Sequence, residues 1–511
     1  MSRKRTVKKI VLSTLIPIML FISLSSWGLA SPVGASPDDD YHMASIWCGQ
    51  GIRENLCELG DKPEERRVPV YVNEAAHCYA FQPTNSAACS VDASNTMVNT
   101  DRGNFGGVYP PLYYGFMSIF AGEDIAASII AMRMVNAFLF VVVGSSLFYL
   151  LQRSRRPPLV WGALASLIPL GMFLIPSVNP SSWAVLSAAT LWVALLGYFE
   201  AKSIRKRTAF GVIATVSLVM GAGARSDAAV YGVLAIAVVF VLSWARTKRF
   251  ALLCLLPASL AVVAAIMFLA SGQSSVVTPD AIAEGATRAE VVNLTYSNLI
   301  LLPQLWAGAL GFWGLGWLDT AMPGLVWVTT LAVFAALLFW GLNSMGKRKS
   351  LALTMIFGSL IVIPMYILVN DRVLVGSGVQ PRYIYPLMII LVGVALLQLK
   401  RETIRLNSIQ LIVVASVLSM AHAVALHVNI RRYVTGVDVG GLNLDNGREW
   451  WWDLPISPMA VWVIASVSLA ATLFGVTVYT IRHSQAVLQQ GAIGGAAGAT
   501  NALSESEVVA A

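Results

Sequence analysis

The chain has 511 residues, 12% of them charged and 57% hydrophobic, with a mean hydropathy of +0.69. A water-soluble fold of that length needs more charge to cover its surface, so a soluble globular protein is excluded. The net charge of +8 does not point to nucleic acid, because Lys and Arg sit in short clusters between apolar runs, at 3–9, 153–156, 202–207, 246–249, 347–349 and 400–405. That is the spacing of cytoplasmic loops under the positive-inside rule.

Residues 1–30 combine a basic start with an apolar run from residue 10. A signal peptide cut after Ala30 or Ala35 is one reading. About 20 apolar residues are long for a signal core, and an uncleaved first helix with a cytoplasmic N-terminus is favoured. Residues 31–124 then lie outside. The stretch 31–106 holds eleven acidic and five basic residues, with Pro, Asn and Ser punctuation, and reads as a small loop domain. It contains Cys48, Cys57, Cys78 and Cys89. Four cysteines on an oxidising side suggest two disulfides with three possible pairings, of which the local pairs Cys48–Cys57 and Cys78–Cys89 are preferred. A zinc site using His42 or His77 is the alternative. GVYPPLYYGFMSIF (107–120) is aromatic, too short to cross and broken by Pro110 and Pro111, and suits a re-entrant or interfacial helix.

Crossing helices are expected at 125–151, 159–176, 181–200, 208–224, 228–244 and 250–270, with 271–298 as an aqueous outer loop. The run 299–318 is nearly long enough to span. However, the basic cluster Lys347–Lys349 follows the next apolar run, 322–342, and should be cytoplasmic, so only one of the two crosses. The Gly- and Trp-rich 299–318 is taken as re-entrant or interfacial. Crossings at 351–370, 383–400, 408–428 and 458–481 complete a count of about twelve. An outer loop at 429–457 ends in Trp450–Trp452, read as an interfacial belt before a sugar-stacking platform. The Ala- and Gly-rich 483–511 is a disordered cytoplasmic tail. The fold class is thus an all-α integral membrane protein: a first helix, a disulfide-bearing loop domain, and a multi-helix domain at 125–482. Both termini are expected in the cytoplasm of a multi-pass protein of the cytoplasmic (inner) membrane.

The reactive-looking residues gather at outer helix ends. Asp38, Asp39 and Asp40 precede Tyr41 and His42. Adjacent carboxylates near a low-dielectric surface repel, which suits a general base or a divalent-cation site, and equally a solvated acidic loop. Arg133 lies two turns inside its helix and needs a partner there. Arg225 with Asp227 occupies a short outer turn, and Arg372 and Arg382 flank the loop DRVLVGSGVQPRY. Such arginines bind an anionic headgroup, or simply pair locally as Arg225 with Asp227 and Arg372 with Asp371. Asn179 in an Asn-Pro turn and Asp319 in Gly-Trp-Leu-Asp-Thr are further candidates.

PDDDYHMASIWCGQG resembles the Pro-Asp-Glu-x-x-His opening of an uncharacterised family of bacterial polytopic membrane proteins, and GVYPPLYYG resembles its Pro-Pro-x-Tyr-Tyr segment. AMRMVNAFL, NPSSW, GWLDTAMP and QPRYIYPL follow in the family's order, over roughly 35–400. That family looks like a branch of the GT-C glycosyltransferases, membrane enzymes using lipid-linked sugars on the outer face. The resemblance implies that Asp38 and Asp39 serve as catalytic base or metal ligand. It places His42, Arg133, Asn179, Arg225, Asp227, Asp319, Gln380, Arg382 and Tyr383 around the substrate. The family's Glu is Asp39 here, and its frequent acid after Asn-Pro is Ser181. The expected function is sugar transfer from a polyprenyl-phosphate donor to an envelope glycan or lipid acceptor, with a divalent cation (Mg or Mn) as a possible cofactor, membrane lipids as surroundings and no nucleic-acid partner. The alternative is a transporter or flippase of an envelope precursor. It would need polar groups at the midplane, whereas the ionisable residues crowd one side.

Overall fold

The computed structural model describes residues 2–90, 94–273, 287–399 and 407–482. Helix α1 (Ser2–Leu29) runs into an irregular strap, residues 30–38. Then come α2 (Asp39–Trp47), β1 (Glu58–Leu59), β2 (Arg66–Pro69), α3 (Val70–Glu74), β3 (Met97–Thr100) and α4 (Leu112–Met117). The three strands form an antiparallel sheet with β2 central, Arg66 opposite Thr100 and Pro69 opposite Met97. Disulfides join Cys48 to Cys57 and Cys78 to Cys89, the local pairing, which leaves no free thiolate for zinc in this region. Closing loops of this length stabilises each by about 2.5 kcal/mol through the unfolded chain. Met43, Trp47, Tyr113 and Met117 belong to the same apolar core as the helix bundle. Residues 31–124 are therefore built onto the bundle rather than tethered beside it.

The bundle begins with α5 (Ile125–Leu150), whose N-cap Asp124 accepts from the Ala127 N–H at 2.9 Å. Helices α6 (Arg156–Ser166) and α7 (Met172–Leu174) flank a break at Ile168, before the cis Pro169. The expected continuous helix 159–176 is thus interrupted. Next are α8 (Ser181–Glu200), α9 (Ile204–Ala224), α10 (Ser226–Ser243), α11 (Lys248–Leu253), α12 (Leu255–Leu269) and α13 (Arg288–Ala307). The chain closes with α14 (Gly324–Gly341), α15 (Lys347–Asn370), α16 (Pro381–Ala395), α17 (Ser408–Val434) and α18 (Pro458–Arg482). Among the described residues, ten of the twelve expected crossings are long and apolar enough to span a bilayer. The other two fall on α1 and α16, whose apolar runs among the described residues are Thr14–Leu29 and Pro381–Ala395. The chain is an all-α polytopic membrane protein.

Two boundaries differ from expectation. Residues 288–298 are helical, not an aqueous loop: a reciprocal cap between Thr287 and Glu290 starts α13, which then continues through 307. Helix α17 runs six residues past 428, because Asn429, Arg431 and Arg432 find partners on the loop domain and the 441–443 turn. The tail 483–511 and the basic stretch 400–405 lie outside the described residues.

The bundle's centre is α8 and α16. In the most apolar stretch of α8, 89% of residues are buried, against 17% in Lys248–Leu269, which faces outward. Close approach is what places α16 there. A Cβ on Gly162 would sit 2.7 Å from the Gly393 Cα, and one on Gly393 would sit 2.5 Å from the Trp192 ring, so only glycine fits either site. On the other side of α8, Thr190 and Ser217 of α9 share a hydroxyl hydrogen bond of 2.8 Å.

Candidate active site

The site is organised by the strap. Leaving α1, the chain exposes a run of carbonyls with no helical partner, and side chains from distant elements take them one after another. The Arg133 guanidinium donates to Gly28 O at 2.7 Å, Ser31 O at 2.5 Å and Pro32 O at 2.7 Å. Trp452 Nε1 donates to Leu29 O at 2.8 Å, and Asn429 Nδ2 to Ala30 O at 2.9 Å. The Tyr79 hydroxyl holds Val33 O, Trp317 Nε1 holds Gly34 O at 2.9 Å, and Asn179 Nδ2 holds Pro37 O at 2.9 Å. Arg133 and Asn179, expected near substrate, are buried and bond the strap. Trp452 is a buried anchor whose ring lies 5.7 Å from the Arg133 guanidinium carbon, rather than part of an interfacial belt.

The strap ends in a tight turn. Asp39 N–H donates to Ser36 O at 3.1 Å, while Ser36 N–H donates to Asp39 Oδ2 at 3.0 Å. This turn puts Asp38 in the left-handed region, φ 59°, a conformation that Asp tolerates better than most residues. Asp38 Oδ2 then accepts from Arg382 Nη2 at 2.5 Å. The two neighbouring carboxyls diverge. The Asp38 side chain is 40% exposed, whereas Asp39 is wholly buried and its Oδ1 has no partner. Burial lifts the Asp39 carboxyl to about 7, and the nearby Arg133 offsets only part of that. Asp40 turns away to a bidentate pair with Arg102, at 2.8 and 3.0 Å. Among the described residues no group of three or more acidic, His or Cys side chains is placed to hold a metal ion.

Arg382, at the start of α16, is 6% exposed. Its Nη2 also reaches the Tyr383 hydroxyl at 3.0 Å, while Nε and Nη1 are buried without a hydrogen-bond partner. The buried Gln380 Oε1 likewise lacks a donor. Pro37, Gln380, Arg382, Trp313, Leu315 and Leu318 line a narrow cleft. Arg225 pairs with Asp227 at 2.7 Å, the local solution, and lies 4.8 Å from the Tyr383 ring and 5.8 Å from that of Tyr109. Tyr383 therefore sits between two guanidiniums. His42 is buried and bonds the Tyr114 hydroxyl through Nδ1 at 2.9 Å. Burial first, then the charges of Arg382, Arg225 and Arg102, hold its pKa well below the usual value, so the ring is neutral.

Asp319 lies outside this group. Its Oδ2 accepts from Arg432 Nη2 at 2.7 Å and from the Phe81 N–H at 3.1 Å, and Arg432 also donates to Tyr79 O and Asn85 O, both at 2.6 Å. This buried pair joins the Cys78–Cys89 loop to the 315–320 turn. The sequence reading missed Arg432. Its signal was a buried-length helix extended by charged residues, which require a partner.

Of the motif-bearing residues, Gln380 and Arg382 line the cleft, Asp38 and Tyr383 are bonded to Arg382, Arg225 with Asp227 lies against Tyr383, Arg133 and Asn179 hold the strap, and Asp319 is apart. No curated protein matches the chain. The solved structure of ArnT from Cupriavidus metallidurans bound to undecaprenyl phosphate is similar with a TM-score of 0.41 and 15% identity, covering 94% of this chain and 77% of that one. A family model described as Predicted membrane protein (DUF2142) matches residues 20–391, most of the sequence, and the chain belongs to that family.

Proposed function

We propose that the chain is a membrane glycosyltransferase that moves a sugar from a polyprenyl-phosphate donor to a cell-envelope acceptor on the extracytoplasmic face. Asp38 takes the proton of an acceptor hydroxyl as its oxygen bonds the anomeric carbon. The bond from that carbon to the phosphate oxygen breaks, and its electron pair leaves with the phosphate. Arg382 receives the growing negative charge through Nε and Nη1, which have no other partner. Arg225 lies behind Tyr383 and adds positive potential without surrendering Asp227. Asp39 is too buried to meet an acceptor and holds the turn that presents Asp38.

The observation that carries this reading is one solvent-facing carboxylate bonded to a buried arginine that keeps two free donors at a cleft. A base for the acceptor hydroxyl and a receiver for the phosphate anion are the two groups that transfer from a phosphate leaving group needs. The test is a deletion strain complemented with wild type, Asp38→Asn or Arg382→Lys, reading envelope glycans and lipid-linked sugars. Asparagine tolerates φ 59°, so Asp38→Asn keeps the turn. We expect transfer to fall by about 10²-fold or more, with donor accumulating. Full transfer by Asp38→Asn sinks the assignment, and ion-coupled uptake by proteoliposomes replaces it with a transporter.

A further inference from the structure

Two bulky residues beside the cleft hold a backbone conformation that non-glycine residues avoid. Phe81 has φ 61° and Leu318 φ 63°. Both stay in place because the surroundings fix them. Phe81 N–H donates to Asp319 Oδ2 at 3.1 Å, and the Leu315–Thr320 bridge brackets the turn that contains Leu318. Strain of this kind persists where neighbours over-determine it, and it concentrates at binding sites. Here it turns apolar groups outward. Phe81 is 66% exposed and Leu318 39%. The Phe81 ring lies 5.5 Å from that of Trp317, whose own orientation is locked by the bond from Nε1 to Gly34 O on the strap.

We infer that Phe81, Trp317 and Leu318 form a carbohydrate-binding rim that seats a neutral pyranose ring of the acceptor glycan. The inference rests on the transfer reading and supplies its second substrate. A pyranose has an apolar C–H face that suits the electron-rich face of an aromatic ring, and hydroxyls around its edge. The cleft beside the rim offers what those hydroxyls need. Gln380 Oε1 is buried and awaits a donor, which a sugar hydroxyl supplies. An acyl chain would cover the aromatic faces but leave this oxygen unpaired, at a continuing desolvation cost. The Trp317–Gly34 bond also connects the rim to the strap that carries Asp38, so a ring on the rim is held in fixed relation to the proposed base.

The experiment uses the full chain in lipid nanodiscs, because a maltoside detergent would compete. Maltohexaose, cellohexaose and chitohexaose are titrated separately, with tryptophan fluorescence as readout. At least one should give a saturable change. Phe81→Asn removes the ring but tolerates the backbone conformation, and should weaken that binding by about tenfold. Gln380→Leu should weaken it similarly, and Phe81→Trp should retain it. No saturable change with any of the three probes, or equal affinity in Phe81→Asn, overturns the rim. A chain that binds glycan through Phe81 yet transfers as well with Asp38→Asn as without it keeps the rim and loses the reaction, so the two failures are distinguishable.

Discussion

At the end of the bundle that carries residues 31–124, arginines are handed to precise structural tasks. Arg133 closes three carbonyls, Arg432 crosses from α17 to the Cys78–Cys89 loop, and Arg382 meets Asp38 while two of its nitrogens stay unpartnered. At the opposite end, Arg155 pairs with Glu200 at 2.7 Å and also donates to Gln398 O, and the buried Lys349 donates to Gly341 O at 2.7 Å. There Arg155 and Lys349 join the ends of neighbouring helices. Unpartnered nitrogens alone do not make the difference, because the buried Nε atoms of Arg133, Arg207 and Arg432 and both Nε and Nη1 of Arg431 also lack a partner. What sets Arg382 apart is that it lines a cleft and bonds a half-exposed carboxylate, where a ligand can meet its spare donors.

The comparison breaks first at Arg432. Replacing it with Leu leaves Asp319 buried without its charge partner, and should destabilise the folded chain by about 3–5 kcal/mol in thermal unfolding of detergent-solubilised protein. A loss below ~1 kcal/mol would mean that the pair is not the joint described. The Cys78→Ser, Cys89→Ser pair removes the loop that Arg432 grips, with an expected cost of about 2.5 kcal/mol. At the other end, Arg155→Leu leaves Glu200, which is partly exposed and can rehydrate. A smaller cost, about 1–3 kcal/mol, and unchanged glycan transfer are expected in the complemented strain. Loss of transfer there, with the fold intact, would erase the distinction between the ends. Asn179→Ala takes one carbonyl partner from the strap, at about 1 kcal/mol, and should reduce transfer more than stability because Asp38 loses its placement.

The mildest test is protonic. The Asp39 carboxyl is raised from 3.8 to about 7, so between those values the folded chain binds a proton that the unfolded chain has released. Stability therefore falls as pH rises from about 4 to about 7, and the penalty is complete above that. Asp39→Asn keeps an acceptor for the Ser36 N–H and never ionises. Its melting temperature should exceed wild type at pH 8 and match it near pH 4. Equal melting at both pH values would show that Asp39 is not buried as described.

Much of this was legible from the chain itself, because a bilayer constrains sequence strongly. Every spanning backbone must satisfy itself as a helix, so apolar length and basic clusters marked the crossings. Local chemistry also showed through, in the short-range cysteine pairing and the Arg225–Asp227 pair. The start of α13 was legible too, since Thr287-Arg-Ala-Glu290 before two valines is a capping signature, yet its polarity argued for a loop. What the tertiary structure alone decided was which candidate faces the cleft. Asp38 and Asp39 are equivalent as letters, and a turn between Ser36 and Asp39 sends one to solvent and the other inward. Arg133, Arg225 and Arg382 read alike as phosphate binders, and only contacts with partners 101–105, 2 and 344 residues away in sequence separate a carbonyl clamp, a local pair and an arginine with free donors. Crossing a membrane is a property of each segment by itself, whereas a buried polar atom gains or lacks its partner only through the meeting of segments that are far apart in the chain.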